Sequence, residues 1–167
     1  MVIYAIGIYF SGRLLSRNNL KIDNIIIGQL IIADCNKCFI SNISASDTDI
    51  GLVLINSNNV EISNSTFSNN NYYGISLIDS DSNTIIYNSI SNNKHMGIYL
   101  YQNSKWNTIK WNSIFSNQND GVYSYEGTII YKQSSINEIH YNNIYNNKKY
   151  GAGAYDSKCS INAINNW

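Results

Sequence analysis

The sequence predicts an all-β chain wound into a right-handed parallel β-helix, a solenoid of about six coils with 22–24 residues in each. Three observations carry that expectation. Glycines form a ruler: Gly28, Gly51, Gly74, Gly97 and Gly121 are spaced by 23, 23, 23 and 24 positions, Gly7 stands 21 before Gly28, and Gly151 follows Gly121 by 30. An apolar stretch follows most of these marks, as GIYF from Gly7, GLVLI from Gly51, GISLI from Gly74, GIYLY from Gly97, GVYSY from Gly121 and GAGAY from Gly151. Asparagine-rich blocks recur in the same phase, as NSTFSNN from Asn64, NSISNN from Asn88, NSIFSNQ from Asn112 and NNIYNN from Asn142.

Gly and Asn interrupt these blocks every few residues, and apolar positions alternate instead of recurring at three and four, so the blocks are strands. One such unit cannot bury its own apolar face, whereas units stacked in register build continuous parallel sheets around a shared core. With each glycine counted as zero, positions one and three face that core: Ile75 with Leu77, Ile98 with Leu100, and Val122 with Ser124. Gln29 breaks the pattern, and a slip of one residue near Gly28 places Leu30 and Ile32 inside instead. Asn64, Asn88, Asn112 and Asn142 form a column of turn residues whose amides hydrogen-bond from coil to coil, and Asn accepts the left-handed backbone of tight turns.

The long spacing after Gly121 places an insertion at about 127–135, a loop pushed out of one coil, because the blocks resume in phase beyond it. The opening MVIYAIGIYFSG lacks the basic segment of a signal peptide and reads as part of the repeat. Residues 1–167 are therefore expected to form one domain. Neither end carries an evident polar cap, which predicts a longer parent chain or end-to-end self-association.

Composition narrows the functions. Lys plus Arg and Asp plus Glu both number 11, the net charge is zero, and no basic patch invites nucleic acid. Charged residues make up 13%, about half the usual share, while Asn and Ile each occur 29 times, so amides supply the polarity. No apolar run reaches the roughly 18 residues of a membrane-spanning helix. Three cysteines cannot all pair within the chain and say little about redox compartment.

The strings NTIIYNSISNN from Asn83 and NTIKWNSIFSN from Asn107, each linked to a strand of the form GISL from Gly74 or GIYL from Gly97, resemble the repeats of NosD-like proteins within the pectin-lyase-like superfamily. The resemblance runs from about Gly7 to Trp167. It implies the parallel β-helix fold and an extracellular or periplasmic setting. Superfamily functions span polysaccharide lyases, glycoside hydrolases, sugar epimerases, tail spikes and adhesins. NosD itself is an accessory in copper-site assembly, and fold-level analogy does not choose among these.

Outward positions two and four become aromatic in the C-terminal half: Tyr99, Tyr101, Tyr123, Tyr125 and Tyr155. With coils about 4.8 Å apart, these rings are expected to tile a flat strip suited to stacking a sugar ring. The competing reading is an aromatic ladder that stabilises an exposed sheet. Gln102 and Asp156 border the strip as further ligand-binding candidates.

The next column reads Ala33, Asn56, Asp79, Gln102, Glu126 and Asp156, with Asp81 nearby. Asp79 and Glu126 are expected about 9.6 Å apart at the backbone, two coils' spacing. Inverting glycosidases hold their carboxyls about 6.5–9.5 Å apart, so these two are the catalytic candidates. The superfamily resemblance implies an Arg or Lys base with calcium ligands for lyases, yet Arg13 and Arg17 lie far from these acids.

Cys35 and Cys38 form a C-x-x-C with no second Cys or His pair near it, which favours two small turn residues or one local disulfide over a metal site. His95 and Met96 are soft ligands of the kind copper takes, but neighbours on a strand point apart, and His140 is about two coils away. No metal site and no cofactor, calcium and copper included, is supported by these residues.

The favoured reading is a non-catalytic binding or structural module whose partner is a polysaccharide or surface glycan. The alternatives are a polysaccharide-degrading hydrolase or lyase, and a NosD-like accessory in copper-site assembly.

Overall fold

The computed structural model describes residues 6–7, 17–18, 20–125, 135–155 and 159–167. Seven parallel strands stack as the first sheet: Ile6–Gly7, Leu30–Ala33, Ile50–Ile55, Tyr73–Ile78, Ile98–Tyr101, Val122–Tyr125 and Ala152–Ala154. A second face stacks Glu61–Ser63, Thr84–Ile86, Thr108–Lys110, Ser135–His140 and Cys159–Ile164. A third stacks Thr66–Ser68, Ser89–Ser91, Ser113–Phe115 and Asn143–Tyr145. The longer strand Phe39–Ser46 turns the corner between these two faces and pairs with both. Among the described residues there is no helix, and the chain is a right-handed parallel β-solenoid.

The inward set is the alternating one. Ile75, Leu77, Ile98, Leu100, Val122 and Ser124 are buried, and across the core they meet Ile62, Ile85, Ile109, Phe67, Ile90 and Ile114. The slip near Gly28 is present: Leu30 pairs with Leu52 and Ile32 with Leu54, so Gln29 stands opposite Gly51. Gly7 is also out of the glycine column, because it pairs with Ile31.

Four corners close each coil, and at each a residue with positive φ precedes a rung that bonds to the next coil. The first corner carries Ser57, Ser80 and Ser104, where the Ser57 N–H donates to Ser80 Oγ at 3.0 Å and the Ser80 N–H to Ser104 Oγ at 3.2 Å. The other three carry amides: Asn83, Asn107 and Asn137; Asn88, Asn112, Asn142 and Asn166; and Asn70, Asn93, Asn117 and Asn147. In each amide rung the side-chain oxygen accepts the backbone N–H of the coil before, and, except at Asn70, whose NH2 group donates to Asn93 Oδ1, the NH2 group donates to a carbonyl inside the turn. Asn88 Nδ2 to Ile62 O at 2.9 Å is one example. These bonds let polar side chains lie fully buried without loss.

One expected member is displaced. Thr66 pairs with Ser89, so it is Ser65 that occupies the Asn88 rung, and the Ser65 N–H donates to Asn88 Oδ1 at 3.0 Å. Asn64 stands one residue earlier, exposed at φ 50°. The block from Asn64 is one residue longer before its second asparagine than the block from Asn88, and the core face of Phe67 decides the register.

The glycine ruler reflects close approach. A Cβ on Gly97 would stand 2.6 Å from the Gly121 carbonyl oxygen, 2.8 Å from Ile114 Cγ2 and 2.9 Å from Asn117 Nδ2. Gly51, Gly74 and Gly121 meet the same three kinds of neighbour, so the glycine column is the space into which one amide ladder fits.

From Gly74 onward, variation in coil length is confined to one place; in the earlier coils the corner before the first sheet varies too, with Leu30 following Ile27 by three positions and Leu52 following its counterpart Ala45 by seven. Each of Asn83, Asn107 and Asn137 precedes the next glycine by 14 positions, whereas they follow Gly74, Gly97 and Gly121 by nine, ten and 16. Every extra residue of these later coils therefore enters at the corner after the first sheet. Residues 127–134 of the expected insertion lie outside the described residues, but Ile139 pairs with Ile109 beyond them, so the phase does resume. Cys35 and Cys38 are joined in a local disulfide, and both are buried.

Candidate functional site

The outer face of the first sheet turns aromatic as its strands advance. Val53, Ser76, Tyr99, Tyr123 and Gly153 occupy one column, and Ile55, Ile78, Tyr101 and Tyr125 the next. Tyr101 and Tyr125 lie 5.8 Å apart between ring centroids with planes 10° apart, Tyr99 and Tyr123 6.3 Å at 24°, and Tyr99 and Tyr101 5.4 Å at 23°. Tyr155 closes the series against Tyr125 at 5.0 Å and 62°, with 68% of its surface exposed. The strip is therefore real, but it is not tiled. Adjacent coils are closer together than a phenol ring is wide, so the rings incline and stack on one another. Tyr155 is the ring of this series left most open to solvent.

Sequence reasoning missed Tyr73. It sits just before its glycine, outside the outward positions read from the sequence, yet its ring lies 4.8 Å from that of Tyr99 and 5.7 Å from the imidazole of His95. Burial pushes the Tyr99 hydroxyl far above the ordinary phenol range, and Tyr73 and Tyr101 add to the shift. The Tyr73 hydroxyl is raised for the same first reason. Both stay protonated donors at neutral pH.

Asp79 is exposed at its corner with φ 49° and accepts a hydrogen bond from Asn103 Nδ2 at 3.3 Å. Gln102 lies one coil on, and its carbonyl accepts the Asp79 N–H. Glu126 and Asp156 lie outside the described residues. Ala33 is not in this column, because the slip near Gly28 puts Asp34 there, accepting from Asn56 Nδ2 at 2.6 Å. Asp81 is held above the usual carboxylate range by burial, opposed by the Lys105 N–H it accepts at 2.7 Å.

His95 and Met96 do not point apart. The stretch between Ser91 and Ile98 is a turn, which breaks strand alternation and brings His95 Nδ1 to Met96 Sδ. Among the described residues no group of three His, Cys, Asp or Glu side chains is placed to hold a metal ion. The side chain of Cys159 is outside the described residues, as is that of Arg17.

Asp120 occupies the same place one coil after Met96. It is fully buried, and among the described residues neither carboxylate oxygen has a hydrogen-bond partner; Oδ1 lies 3.5 Å from where a Cβ of Gly153 would stand. An unpaired buried carboxylate is costly. Replacing it by the isosteric amide, Asp120→Asn, is expected to raise stability by about 1–3 kcal/mol in urea unfolding. A fall of similar size would show that the charge is compensated.

A second aromatic column stands at the corner between the second and third faces, formed by the residue just before the recurring Asn88, Asn112 and Asn142. Asn24, Asn42, Asn64, Tyr87, Trp111, Tyr141 and Asn165 succeed one another there, all with φ between 50° and 57°. Tyr87 and Trp111 stack at 5.4 Å and 10°, and Trp111 and Tyr141 at 6.2 Å and 20°. Left-handed backbone suits Asn but costs other side chains about 1–2 kcal/mol each, roughly 3–6 for the three rings. Their two stacked contacts return about 1–3 kcal/mol. The Lys110–Trp111 and Tyr141–Trp167 contacts offset part of the remainder, whereas Asn, which stands in the coils on either side, carries no such backbone cost.

Three comparisons bear on ancestry. The family model described as "Right handed beta helix region" matches residues 4–167. A search of the curated proteins finds no match. Among solved structures, the periplasmic alginate epimerase AlgG superposes with TM-score 0.71 at 20% identity over 89% of this chain and 42% of that one. A double mutant of the same enzyme superposes at 0.75 and 19% identity over 89% and 38%. This chain thus spans less than half the length of the solved structures it matches, and likeness at that identity is a likeness of fold. No helix among the described residues is long and apolar enough to cross a membrane. The match across nearly the full length, together with the stacked coils and their amide rungs, shows that the chain belongs to the right-handed beta-helix family.

Proposed function

We propose that the chain binds polysaccharide through the outer face of its first sheet. The observation that carries this reading is the contiguous set Tyr73, Tyr99, Tyr101, Tyr123, Tyr125 and Tyr155, laid across successive coils with neighbouring rings in contact. Such a surface combines donors and acceptors with apolar rings and loses little side-chain entropy on binding, which suits a pyranose that presents C–H groups and hydroxyls together. Tyr155 supplies the open face on which one sugar ring stacks, and Gln102, exposed beside Tyr101, supplies an amide to the adjoining hydroxyls. The structural neighbours titled as an alginate epimerase support a polysaccharide partner at the level of the fold. An extracytoplasmic setting is part of the same reading, supported by the Cys35–Cys38 disulfide and by the periplasmic neighbours.

Calorimetric titration against a panel of soluble polysaccharides tests it. The double variant Tyr101→Ala/Tyr125→Ala is expected to weaken binding about tenfold or more while keeping the β circular dichroism of the parent. Absence of heat with every glycan, or equal heat from parent and variant, would remove this face from consideration.

A further inference from the structure

We infer that the corner running from Asn24 to Tyr141 is a second glycan-binding track, separate from the tyrosine face, that takes an extended and largely neutral polysaccharide lying along the solenoid axis. The track has two halves in one column. Its N-terminal half is a shallow groove of about 380 Å³ bordered by Asn24, Asn42, Asn64, Ser44 and Ile26, and Ile26 is 65% exposed. Its C-terminal half is the stack of Tyr87, Trp111 and Tyr141, exposed by 55%, 43% and 44%.

The groove is ordered before any ligand arrives. Asp23 Oδ1 accepts from Asn42 Nδ2 and from Ser41 Oγ, both at 2.8 Å, and Asp23 Oδ2 accepts from Asn24 Nδ2 at 3.2 Å. With one N–H of each amide so held, the Oδ1 atoms of Asn24 and Asn42 are fixed in direction and keep capacity to accept from ligand hydroxyls. Along the aromatic half the ring edges offer two phenol hydroxyls and an indole N–H, and Lys110 Nζ rests 4.8 Å above the Trp111 ring. Amides, hydroxyls and an indole recognise a polyol; the charges beside the column are engaged, Asp23 with Lys21 at 3.5 Å, Glu138 with His140 at 3.6 Å and Lys110 over the Trp111 ring, so the set favours a neutral chain over a polyanion.

Spacing agrees with that occupant. Coils repeat every ~4.8 Å, close to the advance of one sugar unit in an extended pyranose chain, so each rung of the corner meets one sugar. Three successive aromatic side chains stand in left-handed backbone here, where Asn stands in the coils on either side, and together they make a continuous exposed row.

The test uses the substitution that the column itself suggests. Trp111→Asn places in the left-handed position the residue that tolerates it best, so the thermal midpoint is expected to stay level or rise. Titration with β-1,4-xylan, β-1,4-mannan and a soluble β-1,3-glucan, with polygalacturonate as the anionic comparison, is expected to show about tenfold weaker binding of at least one neutral polymer. The loss should persist in the Tyr101→Ala/Tyr125→Ala background, where the first face is disabled, which separates this track from the other. Parent and Trp111→Asn binding all four polymers alike would overturn the inference. So would tryptophan fluorescence in the parent that saturating neutral glycan leaves unchanged, a measurement that needs no variant to fold.

Discussion

Replacing Asn112 by alanine is expected to destabilise the protein by about 2–6 kcal/mol, the range for orphaning two buried backbone groups at about 1–3 each. The Asn112 side-chain oxygen accepts the Asn88 N–H at 2.9 Å and Asn88 Nδ2 at 3.1 Å, and its NH2 group donates to Ile85 O at 2.9 Å. Alanine removes the acceptor from the first and the donor from the last, in a turn where Asn112 is 2% exposed and water cannot substitute. Because each coil is stabilised through its neighbours, loss at a central rung also uncouples the coils on either side. Urea unfolding should show a lower midpoint, and hydrogen exchange should report early opening between residues 85 and 114. Asn64→Gly is the control: its exposed left-handed site accepts glycine, so a loss there as large as at Asn112 would mean that turn conformation, and not the rung, carries the stability.

The second large effect is expected at Gly97. A methyl group there meets the Gly121 carbonyl oxygen at 2.6 Å, and that atom belongs to backbone held in the sheet. Overpacking of this kind costs about 1–3 kcal/mol and more where the neighbour is rigid, so Gly97→Ala should reach about 3 kcal/mol. Gly151→Ala makes the contrast sharp, since a Cβ there finds only Ile144 Cγ2 at 3.4 Å and Ile144 Cβ at 4.0 Å. Equal midpoints for the two variants would show that the glycine column is not a packing requirement.

These two variants probe what was most legible in the sequence. The glycine spacing and the alternation of Ile75, Leu77, Ile98 and Leu100 both arise from a backbone and core that repeat every coil, so period and inward face could be read directly. Register was legible only where the core residue was unmistakable: Gln29 betrayed the slip near Gly28, but nothing in the run around Asn64 showed that Ser65 would take the rung. The tyrosine columns were legible because outward strand positions alternate too. The tilt of the rings was not, since it follows from a coil spacing narrower than a ring. The corner column of Tyr87, Trp111 and Tyr141 was hidden for a different reason. Its rings recur in phase just before Asn88, Asn112 and Asn142, but a residue type ill suited to left-handed backbone stands out only when φ is known.

The fixed 14-position interval between the first amide rung and the next glycine has a consequence for how such a chain can diversify. From Gly74 onward three sides of the solenoid keep their length, since one added residue would throw three amide ladders out of step at once. The remaining side, just past Tyr101 and Tyr125, absorbs additions without penalty to the scaffold. Novelty can therefore accumulate along a single edge that borders the tyrosine face. That edge is also where a foreign loop could be grafted to reshape recognition while the spiral beneath it stays untouched.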